Sequence, residues 1–128
     1  MAIHVVRLGS PRETGEGLRI GTVRRPPRGV SKKDFSRLNY YDVWLPQLAP
    51  SAQLVQWIRK RGDSDSGWKQ FERRFLRELS DPDTARLLIL LAALSRSADF
   101  SIGCYCENEA RCHRSILRKV LAARGAAI

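Results

Sequence analysis

Long apolar runs are absent from this chain. The longest, "LLILLAAL", falls far short of the ~20 residues that cross a bilayer, so no membrane-spanning helix is expected. Cysteine is scarce: three in 128 residues, an odd count that argues against the paired disulfide framework of small secreted domains. The opening "MAIHVVRLGS" has no basic segment followed by an apolar stretch and a small-residue cleavage site. Cytoplasmic location is therefore the expectation. No internal repeat and no linker of low complexity divides the chain, so residues 1–128 are expected to form a single domain.

Lysine is scarce beside arginine, 5 against 18, and with only 13 acidic residues the net charge is +10. Such a charge attracts nucleic acid, nucleotides and other anions. The basic residues are nevertheless scattered, and several stand beside acids, as in "FERRFLRELSD". A small anionic or nucleotide-like ligand is thus the first partner to consider and nucleic acid the second, with no membrane partner. No cofactor is indicated, and the oligomeric state is open.

What is present reads as an α/β alternation. "AIHVVRL" and "LRIGTVR" have the β-branched, alternating character of strands, and residues 99–106 form a third. Helical periodicity recurs over 51–61, 67–79, 82–96 and 112–124. Ser51 is a good N-cap, and Asp81 caps a helix with Pro82 at its first position. Ser31 followed by Asp34 predicts an acidic capping box and a short helix. "NYYDVWLPQLAPS" predicts at most a brief extended segment, since two prolines forbid a continuous helix. The helix holding "LLILLAAL" is apolar all round and is expected to be buried on most sides. The fold class is α/β: a small, mainly parallel sheet flanked by helices. Ligands of such sheets bind beyond the strands' carboxyl ends. An arginine loop, "RRPPRG", and a cysteine loop, "CENEARCHR", both leave predicted strands at that end.

Four stretches, "GLRIGTVRRPPRGVSKKDF", "YYDVWLPQLAPS", "WKQFERRFLREL" and "GCYCENEARCHRSIL", span nearly the whole chain. In this order they resemble the domain of unknown function (DUF) 488 family. A better-known branch of that family has an aspartate-arginine-leucine-tryptophan run before its proline-arginine-glycine. This chain has Val23-Arg24-Arg25-Pro26 there, and is similar to the branch ending in cysteine-histidine-arginine. The resemblance implies a compact α/β fold in a bacterial or archaeal cytosolic protein. It supplies no activity.

Chemistry concentrates in "GCYCENEARCHR". Cys112, at a predicted helix N-terminus, would have its thiolate favoured by the helix dipole and nearby cations. His113 is its candidate base and Arg114 its charge stabiliser, which makes these three the candidate catalytic residues. Arg24, Arg28, Asp42, Cys106 and Arg111 are the candidate ligand-binding residues. The prolines around Arg24 and Arg28 stiffen a turn that presents guanidinium groups to an anion. Asp42, between Tyr41 and Trp44, is either an acid in an aromatic pocket or a cap. Cys106 and Arg111 have the spacing of rhodanese-type loops, though this loop lacks glycine and carries Glu107 and Glu109. Cys104 and Cys106 are more simply read as small core residues on an inward strand face. An alternative makes Cys104, Cys106, Cys112 and His113 a four-ligand zinc set in an interaction domain. Adjacent Cys112 and His113 argue against it, and no metal ligand is assigned.

Overall fold

Four segments extend and pair: β1 (Ile3–Arg7), β2 (Leu18–Gly21), β3 (Val43–Trp44) and β4 (Phe100–Cys104). The structure, a computed structural model describing residues 1–128, joins them in one sheet of order β1-β4-β2-β3. Every pairing is parallel. Ile3 stands opposite Phe100 and Arg7 opposite Cys104, while Gly21 stands opposite Gly103. The last strand in sequence is therefore inserted between the first two. All five residues of β4 are buried, as expected of a strand covered on both faces.

Four helices complete the α/β fold: α1 (Ala52–Arg61), α2 (Asp65–Leu79), α3 (Pro82–Leu94) and α4 (His113–Ala123). Their starts follow the capping chemistry of the sequence. The Ser51 hydroxyl accepts from the Leu54 amide at 3.2 Å, and the Asp81 carboxylate from the Thr84 amide at 3.2 Å. α2 begins earlier than its apolar periodicity indicates, because Ser64 caps it through the Gly67 amide. The capping box at Ser31 does not form; a single 3-10 turn, Lys32–Asp34, stands there without a side-chain cap.

The main core joins Ile20, Phe100 and Ile102 of the sheet to Phe75, Leu88, Ile116, Leu117 and Leu121 of the helices. Each such side chain contributes about 1.5–3 kcal/mol when fully buried. The expectation for α3 needs correction. Leu88, Leu91 and Ala92 are buried, but Ile89, Leu90 and Leu94 lie on an exposed stripe that no other element covers. A second, smaller apolar cluster, formed by Leu8, Val23, Tyr41, Cys104 and Cys112, sits at the carboxyl end of the sheet. No helix is long and apolar enough to cross a membrane.

Candidate functional site

Because β2 and β4 are parallel neighbours, the loops that follow them leave the same rim. The Tyr105 hydroxyl donates to the Arg25 carbonyl at 3.0 Å and ties the cysteine loop to the arginine loop. A second tie runs deeper: Nε2 of His113 lies 2.5 Å from the Thr22 carbonyl oxygen. A carbonyl only accepts, so Nε2 carries the hydrogen and Nδ1 is left facing the Cys112 sulfur, 3.8 Å away. The imidazole is fixed edge-to-face against the buried Phe75, with ring centroids 5.8 Å apart.

Three sulfurs meet at this rim. The Sγ atoms of Cys104, Cys106 and Cys112 lie within 4.8 Å of one another, and Cys104 and Cys106 are 3.7 Å apart. Cys104 ends β4 and is buried, and Cys112, the N-cap residue of α4, is only 2% exposed. β4 stops at Cys104, so Cys106 belongs to the following loop and is exposed rather than part of the core. Hydrogen bonds from Cys104 and then Cys106, with a further contribution from His113, push the Cys112 thiol far below its ordinary range despite burial. Its neighbours move the other way. Hydrogen bonding to Cys106 and Cys112, together with burial, holds the proton on Cys104. On Cys106 the bond with Cys104 acts downward, but Cys112 and burial outweigh it and raise the thiol. Of the three, Cys112 is the sulfur whose thiolate is favoured, and Cys104 and Cys106 favour the thiol.

Arg114 is the cation beneath this cluster. It is 3% exposed, its Nη1 donates to the Val6 carbonyl at 2.7 Å and its Nη2 to the Cys106 carbonyl at 2.6 Å. Its Nε points at the Cys112 sulfur, 3.4 Å away. No carboxylate lies within ion-pairing distance of it. The guanidinium therefore clamps the ends of β1 and β4 to α4 and faces the Cys112 sulfur.

The other sequence candidates go elsewhere. Arg24 is spent on the carbonyls of Pro50 and Ala49, at 3.0 and 2.9 Å. Asp42 is gripped by Arg12 through two bonds of 2.9 and 3.0 Å, by the Ser36 hydroxyl and by the Arg19 amide. Burial alone would raise the Asp42 carboxyl, but the bonds from Arg12 and Ser36 reverse this and leave it below the ordinary aspartate range. Asp42 is therefore an anchored carboxylate at the edge of an aromatic-lined hollow. Arg111 turns away from Cys106 to Asp65 at 2.5 Å and lies over Trp68, so the rhodanese-like spacing assembles no loop of that kind. Arg28 is exposed and makes no ion pair, as is true of Arg25, Lys32 and Lys33.

Tyr41 is a buried aromatic at this rim. Its ring lies flat on Gly21, where an added Cβ would come within 2.4 Å of it. Its hydroxyl is the one buried side-chain polar atom without a hydrogen-bond partner. Burial raises this phenol, and burial together with Tyr41, Cys104 and Tyr40 raises that of Tyr105. Tyr41 also backs a hollow of about 210 Å³ lined by Lys32, Lys33, Phe35, Ser36, Asp42 and Trp44. A larger groove of about 410 Å³ runs along β1 beside Arg19 and Arg118, and neither of these two cavities is lined by a cysteine.

Comparison with known proteins adds one finding. A family model described as the active DUF488-N3 subclade matches residues 3–125. No curated protein and no solved structure matches the chain.

Proposed function

This chain belongs to the DUF488 family, and from the sulfur cluster at the rim of its sheet we propose a thiol-dependent function on a small anionic or nucleotide-like ligand. Cys112 is the reacting sulfur, Arg114 stabilises its charge, and Nδ1 of His113 is placed to take its proton. The observation that carries this reading is the buried Arg114 guanidinium, whose partners are two carbonyls and the Cys112 sulfur, with no carboxylate among them. Burying a cation without a partner is costly, so a negative sulfur is the counterion that makes the arrangement stable.

Arg28, Lys32 and Lys33, free of acidic partners, draw the anionic part of the ligand to the rim. The orphan Tyr41 hydroxyl is a further donor beside the hollow that Lys32 and Lys33 line. In the chemical step the sulfur's electron pair forms a bond to an electrophilic carbon of the ligand. The bond from that carbon to its leaving group breaks with the pair on the leaving atom, which takes the proton held by His113. Cys106, the exposed member of the cluster, stands between solvent and the covered Cys112.

Peptide mapping after brief iodoacetamide treatment tests the reading. Cys112 should be modified despite its burial, at a rate that stays nearly constant as pH falls below the ordinary thiol range. Modification confined to Cys106, with Cys112 untouched in the folded protein, would sink it. Lys32 and Lys33, unpaired and lining a hollow with the exposed Trp44, support a second reading, a single-stranded nucleic acid tracking this rim. Its affinity should fall steeply as salt rises, and binding indifferent to salt would remove it.

A further inference from the structure

The three sulfurs form a ligand set as well as a nucleophile and its neighbours. We propose that Cys104, Cys106 and Cys112 together hold one soft d10 metal ion, Zn(II) being the commonest, with its fourth coordination position open to solvent. The inference goes beyond the thiol reading: it concerns a different occupant of the same sulfurs, and one whose binding excludes the other chemistry.

Distance comes first. A tetrahedral zinc thiolate has Zn–S bonds of about 2.3 Å, which places its sulfurs about 3.8 Å apart. Cys104 and Cys106 are already 3.7 Å apart, and no pair in the cluster exceeds 4.8 Å. Contraction by about 1 Å at most completes the triangle. Charge comes next. Three thiolates around a divalent ion leave one negative charge, and the Arg114 guanidinium, 3.4 Å from the Cys112 sulfur, cancels it. Donor softness then selects the metal: thiolate sulfur suits Zn(II), Cd(II) and Cu(I), whereas Mg(II) and Ca(II) require oxygen.

The fourth ligand of the sequence-based zinc set is not available. Nε2 of His113 is committed to the Thr22 carbonyl, and its Nδ1 faces the Cys112 sulfur rather than the centre of the triangle. Glu107, the nearest acid in the loop, is exposed and paired with Arg7. Cys106 is the exposed corner, so the open position faces outwards. Three protein ligands with one open position is the pattern of sites that exchange a ligand rather than merely staple a fold. Binding releases the protons held by Cys104 and Cys106 and occupies the lone pair with which Cys112 would attack, so metal and alkylating reagent compete.

Titration of the reduced, chelator-stripped protein with Cd(II) tests the proposal. One equivalent should develop the ultraviolet sulfur-to-cadmium charge-transfer band, and it should protect Cys112 from iodoacetamide. Cys106→Ser, at an exposed position that leaves the core intact, should weaken binding by more than the ~10-fold that loss of an outer-shell partner costs. Cys104→Ser should do the same. The proposal is overturned if no charge-transfer band appears, or if Cys106→Ser binds Cd(II) as the wild type does. Failure here and failure of the thiol reading are separable. Alkylation of Cys112 without any cadmium band overturns only the metal. A one-equivalent band in a protein whose metal-free Cys112 is inert overturns only the nucleophile.

Discussion

Two arginines are buried in this protein, and they are held in nearly the same way except at one atom. Arg19, fully buried on β2, donates to the carbonyls of Ser10, Pro11 and Asn39 and closes an ion pair with Glu16 three residues earlier. Arg114, on α4, donates to the carbonyls of Val6 and Cys106 and faces the Cys112 sulfur. Both are clamps that draw distant backbone together. The difference lies in the counterion. Glu16 spends its oxygens on Arg19 and on the Glu13 amide, so nothing is left for a ligand. The Cys112 sulfur keeps lone pairs that can form a bond. A carboxylate counterion makes a structural joint, whereas the sulfur facing Arg114 is what the proposed site rests on.

The largest expected break in this comparison is Arg19→Met, which strands Glu16 in the interior. Urea unfolding should show a loss of about 3–5 kcal/mol, with Cys112 alkylation unchanged. Arg114→Met inverts the pattern. It should cost less, about 2–3 kcal/mol for its charged hydrogen bonds, yet raise by about one unit the pH at which Cys112 alkylation begins to slow. Equal effects of the two substitutions on alkylation would erase the distinction. Next in size is Gly21→Ala, whose Cβ meets the Tyr41 ring at 2.4 Å on the sulfur side of the sheet. Overpacking of this kind costs about 1–3 kcal/mol, and near-ultraviolet circular dichroism should report the displaced tyrosine.

The smallest effect separates the two clamps by pH. Burial pushes the carboxyls of Glu16 and Asp42 up, but hydrogen bonds and charge from Arg19 and Arg12 prevail, and both end below their ordinary values. A carboxyl depressed by folding adds stability above its unfolded value, and that stability is lost as pH falls through the folded value. Stability measured by urea midpoint should therefore decline below about pH 4, and Glu16→Gln should flatten the decline. Cys112→Ser should leave this acid limb in place.

Much of the fold could be read beforehand because it rests on local chemistry. Ser51 and Asp81 announce helix starts by accepting from amides three residues on, Pro82 by its fixed backbone at the first helical position, and the alternation in "LRIG" marks a strand without outside help. The meeting of the two loops followed from parallel topology alone. Apart from Ser36 beside Asp42, the hydrogen-bond partners of Arg24, Asp42 and Arg111 lie 23 to 46 residues away, and no local pattern announces them. The ion pair of Asp42 could not be foreseen because Arg12 is remote in sequence. Cys106 looked like core because the alternation of β4 runs on past the point where pairing stops. Glu16 and Arg19 stand three apart and could have been matched as a pair, but only the folded chain shows that they are inside.

The bare apolar stripe on α3 bears on how the protein behaves in solution. Ile89, Leu90 and Leu94 form an adhesive strip on a molecule whose copies otherwise repel one another through a charge of +10. Added electrolyte shortens the reach of that repulsion to about 8–10 Å while leaving the adhesion intact. Crowded copies should then stick along the outer helix, so dilute buffer keeps this protein dispersed better than concentrated salt.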